Sequence, residues 1–146
     1  SYELCLRYTQ LKPDQGALAG LVHQIGVLPI LIYAEEHNEL LSDPVCLNYV
    51  IDQIHPALGD KILSSWEFPE QLVKLPGQVL DLDRGRDKID HVKADYVDIV
   101  QIARALSAGT SKARELDEMP AYLRLGLPTG TELVADDLLY ARSMFR

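Results

Sequence analysis

The sequence is poor in cysteine, poor in positive charge and short of any long apolar run, and each shortage excludes a class of protein. Cys5 and Cys46 are its only cysteines. Two cannot build a disulfide framework or a cysteine-rich zinc site, so each reads as a small apolar residue in a reducing compartment. Lysine and arginine number 14 against 22 acidic residues, a formal charge of -8 at neutral pH. Such a surface repels phosphate backbones and anionic lipid, so neither nucleic acid nor membrane is an expected partner. The longest apolar stretch, Leu21 to Ala34, interrupts itself with His23 and Gln24 and falls short of the about 20 residues that span a bilayer. Ser1-Tyr2-Glu3-Leu4 has neither the basic nor the apolar region of a secretory leader. A soluble, cytoplasmic protein is the expectation. Internal repeats, low-complexity tracts and strand-like alternation are missing too.

What is present is helical patterning. At 146 residues, with 47% apolar and 25% charged side chains, the chain has the composition of one globular domain spanning 1–146. A chain this size buries roughly 70% of the surface its unfolded form exposes. Leu18, Leu21, Val22 and Ile25 recur at helical spacing after Pro13 and Asp14, which mark a start. Gly26 interrupts that helix, and Pro29 suits the first turn of the next. Residues Asn38 to Pro44 read as a loop, ending in Asp43-Pro44 as a cap and first turn. Leu47, Val50, Ile51 and Ile54 form a stripe that Pro56 breaks or restarts. Leu58, Ile62, Leu63 and Trp66 carry the next, and Phe68-Pro69-Glu70 opens a short helix through Lys74. From Pro76 to His91 the periodicity fails, and Asp81 to Lys88 reads as an exposed, solvated charge run. Val92, Tyr96, Ile99, Ala103 and Leu106 restore a helix, followed by a polar linker over 110–118 and a short helix over Ala121–Leu125. A last helix follows Thr129 and Glu132, a capping-box pair, with the stripe Val134, Leu138, Ala141 and Phe145. The fold class is all-α, a compact multi-helix bundle.

Four histidines are the first candidates for chemistry. His23 shares a helix side with Gly16, Ala19 and Gly20, small residues that let another helix come close. It is either a metal ligand or a core histidine bonded to a carbonyl, and the second reading is favoured. His55 stands before Pro56 and reads as a capping residue or as a second ligand. His37 and His91 read as solvated. A hydrolytic metal centre wants carboxylates beside its histidines, and the neighbour of His23 is the neutral Gln24. Asp81-Leu82-Asp83 opens like a calcium loop, but the twelfth position is Val92 and lacks the bidentate carboxylate. Leu125-Gly126-Leu127-Pro128-Thr129-Gly130 has no phosphate-loop spacing and reads as a turn. Ser64-Ser65 lies in no nucleophile-elbow context. No residue is assigned a catalytic role on this pattern, and no cofactor is called for.

Three blocks carry a resemblance to a known family. Ala19-Gly20-Leu21-Val22-His23-Gln24-Ile25-Gly26 resembles the Gly-Leu-Leu-His-Asp-Ile-Gly signature of HD-superfamily phosphohydrolases. His55-Pro56-Ala57-Leu58-Gly59-Asp60 through Trp66-Glu67-Phe68-Pro69-Glu70 resembles a segment of the HDOD signalling domain, and Arg124-Leu125-Gly126-Leu127 is similar to a stretch near that domain's end. The departures are specific: Gln24 stands where the metal-bridging aspartate belongs, and Gln78-Val79-Leu80 lies about where a His-His pair often follows. The resemblance implies a degenerate HD metal position at His23 and Gln24, with His55 as a second position, and no bound metal. It also implies a non-catalytic bacterial signal-transduction module that acts through a protein partner. The chain looks like the C-terminal, HD-like portion of such a region, with an open apolar face that could support a homodimer. Two alternatives stand beside this reading. One is an HD-type phosphohydrolase acting on a nucleotide, with Asp52 or Asp60 recruited to the metal. The other is a small-ligand-binding helical domain with His23, Gln24 and His55 as polar anchors.

Overall fold

The computed structural model describes residues 1–91, 93–108 and 116–127, and among these every regular element is a helix. The chain is all-α. It divides into two compact units, Ser1–Gly20 with Leu82–Arg146, and Leu21–Asp81. The last expected helix, with Thr129, Glu132, Val134, Leu138, Ala141 and Phe145, lies outside the described residues, as does Val92.

In the first unit, α1 (Tyr2–Tyr8) and α2 (Pro13–Val22, which continues into the second unit) accompany α8 (Tyr96–Ser107) and α9 (Pro120–Leu125). A 3-10 helix over Arg86–His91 precedes α8. The core is α8, buried continuously from Tyr96 to Ile102, against which α1 and α9 pack. Residues Leu4 and Cys5 of α1 and Ala121, Tyr122 and Leu125 of α9 complete it. The Tyr96 hydroxyl donates to Gln15 Oε1 (2.9 Å) and accepts from the Lys12 backbone N–H (3.3 Å), which ties the start of α2 to α8.

The start of α8 shows why Asp81–Lys88 is not wholly a solvated run. Asp95 caps the helix by accepting from the Asp98 N–H, and Asp98 accepts in return from the Asp95 N–H, each at 3.1 Å. This reciprocal box satisfies two donors that a helix N-terminus otherwise leaves open. Arg84 reaches out of the charged run to both oxygens of Asp95, at 2.9 and 2.6 Å, and to Asp98 at 3.1 Å. Arg124 closes a bidentate pair on Asp98, Nε at 3.0 Å and Nη2 at 2.6 Å, with both side chains at most 2% exposed. Its Nη1 also donates to the Gly85 carbonyl. One carboxylate therefore holds α8, α9 and the preceding loop together. The helix starts at Tyr96, later than the apolar stripe predicts, because this box sets its first turn.

The second unit comprises α3 (Val27–Glu36), α4 (Asn38–Leu41), α5 (Pro44–Ser65), α6 (Glu70–Val73) and α7 (Leu75–Gln78). The predicted loop at Asn38–Pro44 contains the single turn α4. Asp43 caps α5 as expected, accepting from the Cys46 N–H at 3.1 Å. Pro56 neither ends nor restarts α5, which runs through it for 22 residues. A proline inside a helix removes one N–H and crowds the turn before it, and here packing of the following turn against α6 and α7 outweighs that cost. Trp66 closes the helix, and the Phe68 N–H bonds back to the Leu63 carbonyl at 3.0 Å.

One helical stretch among the described residues, Pro13–Glu36, is long and apolar enough to cross a membrane by length and composition, its most apolar 18-residue window having a mean hydropathy of 1.8. It exceeds the Leu21–Ala34 run because α2 contributes Ala17 to Gly20, and the turn at 23–26 divides it. Within it the expected apolar stripe is only partly buried. Ala19 and Val22 face the interior, whereas Leu21 is 78% exposed.

Candidate functional site

His23 sits in the turn between α2 and α3 and not on a helix face, half-buried, with Gln24 exposed beside it. Short-range bonds shape the turn: the Ile25 N–H to the Val22 carbonyl and the Val27 N–H to the Gln24 carbonyl, both at 3.0 Å. His55 lies in the middle of α5 and is 5% exposed. It is an interior residue of the helix, so the capping role expected for it does not arise.

Gly26 explains how the two sequence blocks meet. A Cβ on Gly26 would fall 2.1 Å from the His55 carbonyl oxygen and 2.7 Å from the Gly59 nitrogen, both backbone atoms that cannot yield. The turn carrying His23 and Gln24 is thus pressed directly onto the α5 backbone over one helical turn, from His55 to Gly59. Gly59 in turn admits α7, since its missing Cβ would lie 2.8 Å from Pro76 Cγ. Backbone-to-backbone approach at this distance is available to glycine alone.

The acids that a hydrolytic centre would recruit are placed differently. Asp52 is exposed on α5. Asp60 is half-buried, and burial pushes its carboxyl above the ordinary range despite a hydrogen bond from the Gly77 backbone. Among the described residues no three of the His, Cys, Asp and Glu side chains gather into a group that could hold a metal ion. His37 is exposed and stacks on Tyr33, ring centroids 4.0 Å apart. The side chain of His91 lies outside the described residues.

A groove of about 470 Å³ opens within the same unit, lined by Ile25, Leu28 and Pro29 from the start of α3 and by Lys61, Ile62, Ser65 and Trp66 from the end of α5. Sequence reasoning placed Ile25, Ile62 and Trp66 on apolar stripes and assigned none of these residues a binding role. A signal was present, since positions 61, 62, 65 and 66 repeat at the spacing of one helix face. What sequence does not show is that the Gly26–Gly59 contact brings the start of α3 alongside that face.

The family model of the HDOD domain matches residues 1–78, which include His23, Gln24, Gly26, His55 and Gly59 and exclude Arg124-Leu125-Gly126-Leu127. Neither the curated proteins nor the solved structures contain a match. The matched span covers more than half of the 146 residues and contains the glycine-mediated contact around which the second unit is built. The chain belongs to the HDOD domain family.

Proposed function

We propose that this chain is a non-catalytic regulatory module of cytoplasmic bacterial signal transduction, working through contacts with a protein partner and, through its open apolar surface, with a second copy of itself. The observation that carries the reading is Gln24. It stands where an HD hydrolase has its metal-bridging aspartate, and it points to a site that has lost its anionic ligand. The remaining donors support the same reading. His23 and His55 come from blocks in backbone contact, but Asp52 is exposed, and no acid joins the histidines in a group of three among the described residues. An amide oxygen and two imidazoles leave a divalent cation without the charge compensation that a hydrolytic centre supplies. These residues do not fit the metal that HD enzymes use.

The test is metal stoichiometry. After incubation with Mn²⁺ or Fe²⁺ and desalting, native mass spectrometry should find the chain metal-free. One or two ions retained per chain would overturn the reading, and hydrolysis of nucleotides would then be the activity to measure. Gln24→Asp refines the result: recovery of Mn²⁺ binding would show that this one ligand is the missing element.

A further inference from the structure

The second unit combines two features that seldom share a surface: a strong excess of acid and a large exposed apolar area. Residues 21–81 contain nine acidic side chains against two lysines and no arginine. Lys74 is committed to an ion pair with Glu70 on the same helical turn. Lys61 makes no ion pair among the described residues, and it stands on the groove between α3 and α5. Around it lie Leu28 and Trp66, which are 56% and 59% exposed, and the apolar track continues along α3 through Leu31 and Ile32, three and four residues beyond Leu28. The groove is open to solvent, and exposed apolar residues extend from it along α3. Its shape suits a segment laid across it better than a compact molecule enclosed by it.

We propose that this groove is the docking site for an amphipathic helical segment of a partner protein, whose apolar side chain seats between Leu28, Ile62 and Trp66 while a single carboxylate one helical turn away pairs with Lys61. The inference rests on the reading of the chain as a protein-interaction module and names the chemistry of the partner. Charge complementarity sets the pattern. Lys61, the lysine of this acidic unit with no ion pair among the described residues, selects one acid at one place, and the surrounding acids repel a segment that is acidic throughout. The same surroundings disfavour an anionic membrane as occupant. Trp66 supplies a large, rigid contact of the kind that dominates interface energetics.

Trp66 is the sole tryptophan, so its emission reports on the groove directly. The experiment selects helical peptides from a displayed library on the full chain, then titrates synthetic winners while following Trp66 fluorescence. The expected winners carry an apolar anchor with Asp or Glu three or four residues away, and they shift Trp66 emission to the blue. Lys61→Glu should weaken them about five- to tenfold, Leu28→Asp should abolish the shift, and Lys74→Glu should leave binding unchanged. All three positions are exposed, so loss of binding cannot be put down to misfolding, and circular dichroism verifies this. Winners without an acid, or equal binding to Lys61→Glu, would overturn the proposal. So would a Trp66 shift with neutral phosphatidylcholine vesicles that exceeds any peptide's, since the face would then be lipid-binding. Retained metal with nucleotide hydrolysis would sink the regulatory reading alone, and peptide binding that depends on Lys61 would survive it.

Discussion

The two units of this chain solve the same problem, holding short helices together, by opposite means. The first, residues 1–20 with 82–146, holds 12 of the 14 basic residues and 13 of the 22 acidic ones, close to balance. Its described part is joined by a buried ionic knot in which Asp98 serves Arg84 and Arg124 at once. The second, residues 21–81, has a net charge of -7 by the same count and is joined by close approach at its glycines, Gly26 against the α5 backbone and Gly59 against the Pro76 ring. It also carries 11 of the 15 large apolar side chains that are exposed among the described residues. The difference teaches where function should be sought. A knot centred on the buried Asp98–Arg124 pair rigidifies and leaves little to a partner, whereas exposed apolar area beside a lysine with no ion pair among the described residues is surface that the proposed partner would cover.

The comparison can be broken at the knot first. Asp98→Ala leaves two guanidinium groups without their shared carboxylate, one of them buried, and should cost about 3–5 kcal/mol in the first unit. Hydrogen exchange along α8 would register this as a large loss of protection. Protection unchanged within error would mean the pairing is incidental to stability. Next comes the second unit's contact. Gly26→Ala places a methyl 2.1 Å from a carbonyl oxygen that α5 holds in place, and the overpacking should cost about 1–3 kcal/mol. Urea unfolding followed by Trp66 emission reads it. An unshifted midpoint would show that the turn moves aside freely.

The smallest effect separates the units by sign. Asp95 is half-buried, which alone would raise its carboxyl, but hydrogen bonds from Arg84 prevail and hold it below its ordinary value. Such a group contributes stability above the unfolded-state value, near pH 4, and loses it as the pH falls through the folded value. Asp60 is shifted the other way by burial. Its ionised form costs stability at neutral pH, and that cost is relieved as the pH falls through its raised value toward the unfolded-state value of about 4. Protection of α8 in the first unit should therefore weaken only below about pH 4 and stay intact as the pH falls from 7 to about 4. Over the same range Asp60→Asn, more stable than the parent at pH 7, should lose its advantage. An advantage for Asp60→Asn that persisted at pH 4 would remove titration of Asp60 as its cause.

Much of the secondary structure was legible because it is local chemistry. Asp43-Pro44 starts α5 as its residue types require, since the carboxylate caps an N–H and proline fits a position that lacks an intrahelical bond. Asp95 and Asp98, three residues apart, held a comparable signal that the apolar stripe from Val92 obscured. Pro56 misled for a physical reason: propensity counts the lost hydrogen bond but not the packing of α6 and α7 on the turn that follows. The His23 and His55 blocks were identifiable as motifs, yet their adjacency depends on Gly26 and Gly59 meeting across the fold.

By itself the sequence determined that the chain is helical, that acidic residues outnumber basic ones by 22 to 14, and that the neighbour of His23 is the neutral Gln24. These follow from residue identity and spacing along one dimension. Only the tertiary structure decided that Arg84 leaves a charged run to pair with Asp95 and Asp98, and that Lys61 and Trp66 face Leu28 across a groove. Long-range pairing depends on which helix faces are brought together, and that choice is made by the sum of many weak packing contacts that no single segment encodes.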